Sequence, residues 1–351
     1  MRPTLASAAA AQGGIFTRSH ALAAGYTERE LKSLTRPGGD LVIVRHGVYA
    51  ERALVDMLDT TERWRLKDRA AQLVSRRPGL LSHDSAARLL RISTLDVKGT
   101  GSHITSVGRA GARRSGGVTR HRDLLPLCVE VRDGLAATSY ARTAIDIGRL
   151  HGFRHGLVAT DAVRNLGVPL SDLQSELARM QHHPFIARAR AAVASSASGV
   201  ESVAETLGRE LVEELGLGHI ETQFAVGIAD GRVVWCDMRV GCHLVEVDGR
   251  IKLRPVADGG VATRSAEDVV WDEKIRQTLV CAEGLGMSRL VWGDFFGAQR
   301  ERAKTRVRSE EAVTRERFGA TLPDHLRRFA DVHQRPTRNK LWTPTSLDAA
   351  S

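Results

Sequence analysis

Nine consecutive residues, Ala191 to Gly199 (AAVASSASG), are almost all too small to anchor a core, and the hydrophobic patterns on either side of them differ. Before the run lie helical stretches at Ser139–Leu150, Arg154–Asn165, Ser171–Met180 and Ile186–Ala194, which read as scaffold. After it come a helix, three strands, a loop, a helix, a strand and a charged helix. A chain of 351 residues also exceeds one ordinary core, so several modules are expected. The expected division is a flexible leader at 1–13, a small helical module with a β-ribbon at 14–60, and a mixed α/β region at 61–196. A second α/β unit at 197–297 and a charged C-terminal helix and tail at 298–351 complete it. The fold class is therefore α+β or α/β, multidomain.

In the N-terminal module Thr17 caps a short helix through Ala24, Gly25 breaks it, and Thr27-Glu28-Arg29-Glu30 forms a capping box for a second helix. Pro37-Gly38-Gly39 and LVIVRHGVYA then read as a turn and a ribbon, the order of a winged helix-turn-helix. Arg29, Lys32 and Arg36 on and after the second helix, with Arg45 on the ribbon, are the candidate DNA contacts there. A second basic stretch lies between strands at Ile104–Val107 and Leu127–Val131. It reads as a loop holding Arg109, Arg113, Arg114, Arg120, Arg122 and His121 with no acid, suited to phosphate because guanidinium groups bind its oxygens bidentately. With 51 Lys and Arg against 41 Asp and Glu, a formal charge of +10, double-stranded DNA is the expected partner.

Cys128, Cys236, Cys242 and Cys281 show no C-x-x-C spacing, and the thirteen histidines form no mixed Cys/His ligand motif, so neither zinc nor disulfides are expected. His83, between Ser82 and Asp84, reads as part of a helix start. A reducing, cytoplasmic setting fits, with no membrane partner, since neither a signal-peptide core nor an apolar run of about 18 residues occurs.

The candidate chemistry lies after Ala194. Asp237 sits near the end of one strand, and Glu246 and Asp248, two apart on the next, share a face because side chains alternate. Glu201 and Glu205, four apart, are expected to add an acid from the preceding helix, and Lys252 a cation. Converging carboxylates suit Mg²⁺ or Mn²⁺, hard ions that prefer oxygen ligands and assist phosphodiester hydrolysis. Trp235, Trp271 and Trp292 are expected to pack the core of this unit, and the helix at 298–317 to present a solvated face.

Several segments of this region resemble the domain-of-unknown-function nucleases related to very-short-patch-repair endonucleases, of the PD-(D/E)XK superfamily. They are ESVAETLGRELVEELGLG, VVWCDMRV, LVEVDGRIK, DEKIRQTLVCAEGLG and SRLVWGDF, spanning about 199 to 296. The resemblance implies a restriction-endonuclease-like core with Glu201 as the helix acid, Asp237 and Glu246 as metal ligands, Asp248 and Gly249 in the E-x-D-G turn, and Arg276 as an auxiliary cation. The chain departs from that pattern with Lys252 where His is usual, Gln277 where an acid is usual, and a longer loop at Leu253–Ala266. The segments FTRSHALAAGYTERELKSL, LVIVRHGVYA, LLSHDSAARLL, SYARTAIDIGRL and LVATDAVR resemble AbiEi-type antitoxins of type IV toxin–antitoxin systems. That implies a DNA-binding winged helix. Two functions follow: a Mg²⁺-dependent DNA endonuclease in phage defence or DNA repair, or an antitoxin or repressor with an inactive nuclease-like domain and a cognate toxin as partner.

Overall fold

A computed structural model describes residues 1–75, 79–96, 101–108, 111–124, 127–229, 231–248 and 275–334. They fall into two units, one of residues 1–160 and 169–194, the other of 161–168 and the chain from 195 onward. The fold is mixed, with helices and three sheets. No described helix is long and apolar enough to cross a membrane.

The first unit opens with α1 (Pro3–Ala11), β1 (Ile15–Thr17), α2 (Arg18–Ala23), α3 (Glu28–Leu34), β2 (Leu41–Arg45) and β3 (Val48–Glu51). The strands form an antiparallel sheet in the order β1-β3-β2. Residues 1–13, expected as a flexible leader, instead carry α1. Leu5 and Ala9, one helical turn apart, are buried with Phe16, Ala21, Leu31 and Leu41, and this burial holds the helix. Thr27 caps α3 as expected: its hydroxyl accepts from the Glu30 N–H, while Glu30 accepts from the Thr27 N–H. These bonds hold the Glu30 carboxyl below its ordinary range.

Next come α4 (Arg52–Met57), α5 (Thr60–Leu73), β4 (Leu80–Leu81), α6 (His83–Leu90), β5 (Ser102–Val107), β6 (Gly111–Ser115), β7 (Val118–Asp123), β8 (Val129–Arg132) and β9 (Leu135–Thr138). The strands form a six-stranded sheet, β6-β7-β5-β4-β9-β8, with β5 and β7 parallel. The basic stretch expected as a loop is the antiparallel hairpin β6–β7. Gly116 and Gly117 turn it, at φ +53° and +73°, the backbone that a two-residue hairpin turn demands. Helices α7 (Tyr140–His151), α8 (Phe153–Asn165), α9 (Leu170–Arg179) and α10 (Ile186–Ala194) follow.

The second unit contains α11 (Val203–Leu215), β10 (Glu221–Gly227), β11 (Val233–Val240), β12 (His243–Asp248), a helix α12 over 275–282, β13 (Gly286–Val291), a 3₁₀ turn (Trp292–Phe295), α13 (Gly297–Phe318) and α14 (Asp324–Val332). Its sheet runs β10-β11-β12-β13, antiparallel except that β13 lies parallel to β12. A parallel neighbour requires a crossover, and α12 lies in it. Helix α11 packs closely on the sheet at Gly208, where a Cβ would stand 2.8 Å from Val247 and 3.1 Å from Met238. Asp161, buried, accepts from Arg209 (2.9 Å), Thr206 (3.1 Å) and the Ala197 N–H (2.8 Å), tying the end of α8 to α11. Trp235 packs against the core and donates to the His333 carbonyl, as its aromatic bulk predicts. Trp292 does not: it is 40% exposed, edge-on to Phe295. Trp271, Gly249, Lys252, Arg109 and the loop at Leu253–Ala266 lie outside the described residues.

Candidate functional site

Asp237 on β11 and Glu246 on β12 lie near the point where the ladder between these strands ends, and among the described residues no three of the second unit's carboxylates bring ligand atoms within 4.8 Å of one another. The ladder pairs Met238 with Val245, and one step beyond it the Asp237 carboxylate accepts the Val247 N–H at 2.8 Å. Glu205, in the first turn of α11, faces Asp237: burial and then the Asp237 charge raise its pKa. Glu205 also accepts from the Ser202 hydroxyl and the Glu201 N–H. Glu246 is buried beside Cys236, whose thiol pKa is pushed up by burial and by Glu246, and Arg276 lies 3.5 Å from the Glu246 carboxylate. Asp248, at the end of β12, is only partly buried. Glu201 does not share a helical face with Glu205, because Ser202 is the N-cap and Glu201 lies outside the helix, exposed. An Ser-x-x-Glu box starting at Ser202 was the signal for that boundary.

The basic residues of the first unit lie at two places. Arg29 and Lys32 on α3, and Arg36 just after it, are exposed, and among the described residues none pairs with a carboxylate. On the second, Arg113 stands opposite Arg120 across the β6–β7 hairpin and shares its face with Arg122, while Arg114 lies on the other face. Arg45 approaches this hairpin, and its guanidinium pKa is lowered by partial burial and then by the Arg120 charge. Like charges set this close favour an anion between them.

A third group was not legible in the sequence. His83, at the start of α6, His103 on β5 and His121 on β7 bring their rings together, and one donor nitrogen of each lies within 4.8 Å of the others. Among the described residues this is the group of three potential metal ligands that meets so closely. His83 and His121 stack with centroids 3.9 Å apart, and His103 Nδ1 is 2.9 Å from His121 Nε2. The Ser82 side chain makes no cap bond to the helix and instead lies 3.0 Å from His83 Nδ1. His83 itself sits at φ +49°, a backbone that costs a residue with a Cβ about 1–2 kcal/mol.

Carboxylates back these rings. Asp84 bonds to His151 at 2.9 Å and lies 3.6 Å from His103 Nε2, and Asp146 lies 3.9 Å from His83 Nε2. Arg142 joins Asp123, Asp146 and Glu176, while His183 also reaches Asp123. Burial raises the Asp84 pKa, but the hydrogen bond to His151 and the Arg88 charge help to outweigh it and the carboxyl stays lowered. Burial favours the neutral form of these rings: His83 falls well below its ordinary value, His103 drops to about 4, and His121 is lowered too. These residues are spread over nearly forty positions, so no local spacing marks them.

Comparison with protein-family models and with curated proteins finds no match to this chain.

Proposed function

We propose that the chain is a DNA-binding protein, and more particularly one that couples a winged helix-turn-helix to a Mg²⁺- or Mn²⁺-dependent phosphodiesterase unit of the PD-(D/E)XK type. The first unit supports the binding half. Its order α1-β1-α2-α3-β2-β3, with the sheet in the order β1-β3-β2, supports a winged-helix reading, in which α3 would enter the major groove and the β2–β3 ribbon would touch the backbone. Arg29, Lys32 and Arg36 supply exposed cations on and after that helix, and Arg45 with the β6–β7 arginines offers a second phosphate-binding face.

The observation that carries the catalytic half is the helix, three antiparallel strands, helix and parallel strand of the second unit, with Asp237 and Glu246 on its adjacent central strands. The donor set is all oxygen, the chemistry Mg²⁺ or Mn²⁺ prefers, and burial and then the Asp237 charge raise the Glu205 pKa, which supports a site where a cation would be welcome. Asp237 and Glu246 would hold the ion, which supplies Lewis-acid polarisation of the phosphate and an activated water. Asp248 would orient the incoming water, and Glu205 would add a carboxylate near Asp237. Lys252 would steady charge on the leaving oxygen. Double-stranded DNA is the substrate class, and phage defence or DNA repair the corresponding role.

The second reading is an antitoxin or repressor, with a toxin as partner, whose second unit no longer turns over. The Arg276 guanidinium near Glu246 favours it, because that cation already neutralises part of the charge an ion would need. Supercoiled plasmid incubated with purified protein and Mg²⁺ or Mn²⁺, beside Asp237→Ala and a gel-shift assay, separates the two. Cleavage lost in the variant with binding retained supports the nuclease. Binding without cleavage under either metal refutes it and leaves the repressor.

A further inference from the structure

We propose that His83, His103 and His121 form a binding site for one divalent transition-metal ion of the zinc class, separate from the carboxylate site and outside the nuclease reading. The donors suit it. Imidazole nitrogen is a preferred ligand of borderline ions such as Zn²⁺ and Co²⁺, whereas Mg²⁺ selects oxygen. His83 and His103 are buried and His121 partly so, which places the three donors out of bulk water.

The spacing suits it as well. Around a tetrahedral ion with bonds of about 2.0–2.1 Å, ligand nitrogens stand about 3.3 Å apart. His103 Nδ1 and His121 Nε2 are 2.9 Å apart, and all three donors lie within 4.8 Å of one another, so shifts of about an ångström or less bring them to that distance. The outer groups are in place. Asp84 faces His103 Nε2 at 3.6 Å, on the ring edge away from the shared centre, leaving Nδ1 for the ion. Ser82 lies 3.0 Å from His83 Nδ1, and Asp146, held by Arg142 and Arg149, lies 3.9 Å from His83 Nε2. Carboxylates behind ligating histidines fix ring orientation and raise ligand basicity. His121 is the one ring of the three that is only partly buried, so a water supplying the fourth ligand would enter on its side.

The ion would tie the start of α6 to β5 and β7, the strand that carries Arg120 and Arg122, and so would brace the basic hairpin. The test uses the full chain stripped with a chelator and titrated with ZnCl₂ and CoCl₂. One equivalent per chain is expected, with the visible absorption bands of tetrahedral cobalt and a melting temperature that rises with zinc. His121→Gln and His103→Gln should lose the equivalent, while the exposed His182→Ala and the carboxylate variant Asp237→Ala should keep it. Because a substitution in a buried network can unfold the chain, circular dichroism accompanies each variant, and the wild-type titration decides independently. Absence of cobalt bands and of any zinc-dependent rise in melting overturns the proposal. So does an equivalent that survives in folded His121→Gln, or one that disappears in Asp237→Ala, which would place the ion among the carboxylates.

Discussion

Replacing Arg209 by methionine keeps most of the side-chain volume but leaves the Asp161 carboxylate buried without its guanidinium. Asp161 and Arg209 are 1% and 3% exposed, and their atoms meet at 2.9 Å. Breaking one side of such a pair costs about 3–5 kcal/mol. Two features limit the cost here. The Thr206 hydroxyl and the Ala197 N–H still donate to Asp161, and the carboxyl can escape its charge by taking a proton. For a group of ordinary pKa 3.8, protonation at pH 7 costs about 4 kcal/mol, at ~1.36 kcal/mol per unit. The loss of the Arg209–Glu213 pair, half in solvent on Glu213's side, adds only a few tenths.

A destabilisation of about 3 kcal/mol is therefore expected, equivalent to a fall of about 6–12 °C in the melting of the second unit. Urea unfolding followed by Trp235 fluorescence measures it. Burial already raises the Asp161 pKa, although Arg209 opposes that rise, so removing Arg209 raises it further. A raised carboxyl pKa means that the native state binds the proton first, and stability falls as pH rises from the unfolded value through the folded one. The deficit of Arg209→Met should accordingly shrink between pH 7 and pH 5, and adding Asp161→Asn should recover most of it. A variant within about 0.5 kcal/mol of wild type at pH 7, or a deficit unchanged with pH, would refute the reasoning.

Arg29→Ala and Lys32→Ala should each weaken duplex binding and flatten the plot of log affinity against log salt by about 0.9, read by fluorescence anisotropy, without changing the melting temperature. His243, 1% exposed between Thr314 and Ser288, has its pKa lowered by burial, with Glu310 and Glu311 opposing. The unfolded state then takes the proton first, so the urea midpoint should fall as pH drops below 6.5, and His243→Gln should lose that part of the slope. Gly39→Ala would put a Cβ 2.2 Å from the Leu34 carbonyl, a backbone clash between α3 and β2. A loss of about 1–3 kcal/mol is expected in thermal melts, with weaker DNA binding as the helix shifts against the ribbon.

Local features were legible because their causes lie within a few residues. The Thr27–Glu30 box, the break at Gly25 and the alternation of LVIVRHGVYA placed α3 and the β2–β3 ribbon. The periodic Leu207, Leu211 and Leu215 placed α11. Where a local signal was weak, the reading failed. MRPTLASAAAA looks like a leader until Leu5 and Ala9 find a core, and Gly116-Gly117 looks like a loop until β7 finds β5. Glu246 and Asp248 could be paired from alternation, with Asp237 on the strand before them, but the partner each of Asp237 and Glu246 meets was set by the tertiary structure: Glu205 beside one, Arg276 beside the other.

The sequence by itself therefore determined a mixed α/β chain of more than one unit, its main helices and strands, and where its basic residues and strand carboxylates fall. The tertiary structure alone decided the histidine cluster. Caps and periodicities act over one or two turns of chain, whereas His83, His103 and His121 meet only because strand order β6-β7-β5-β4-β9-β8 sets β5 beside β7 and brings the start of α6 to their shared face.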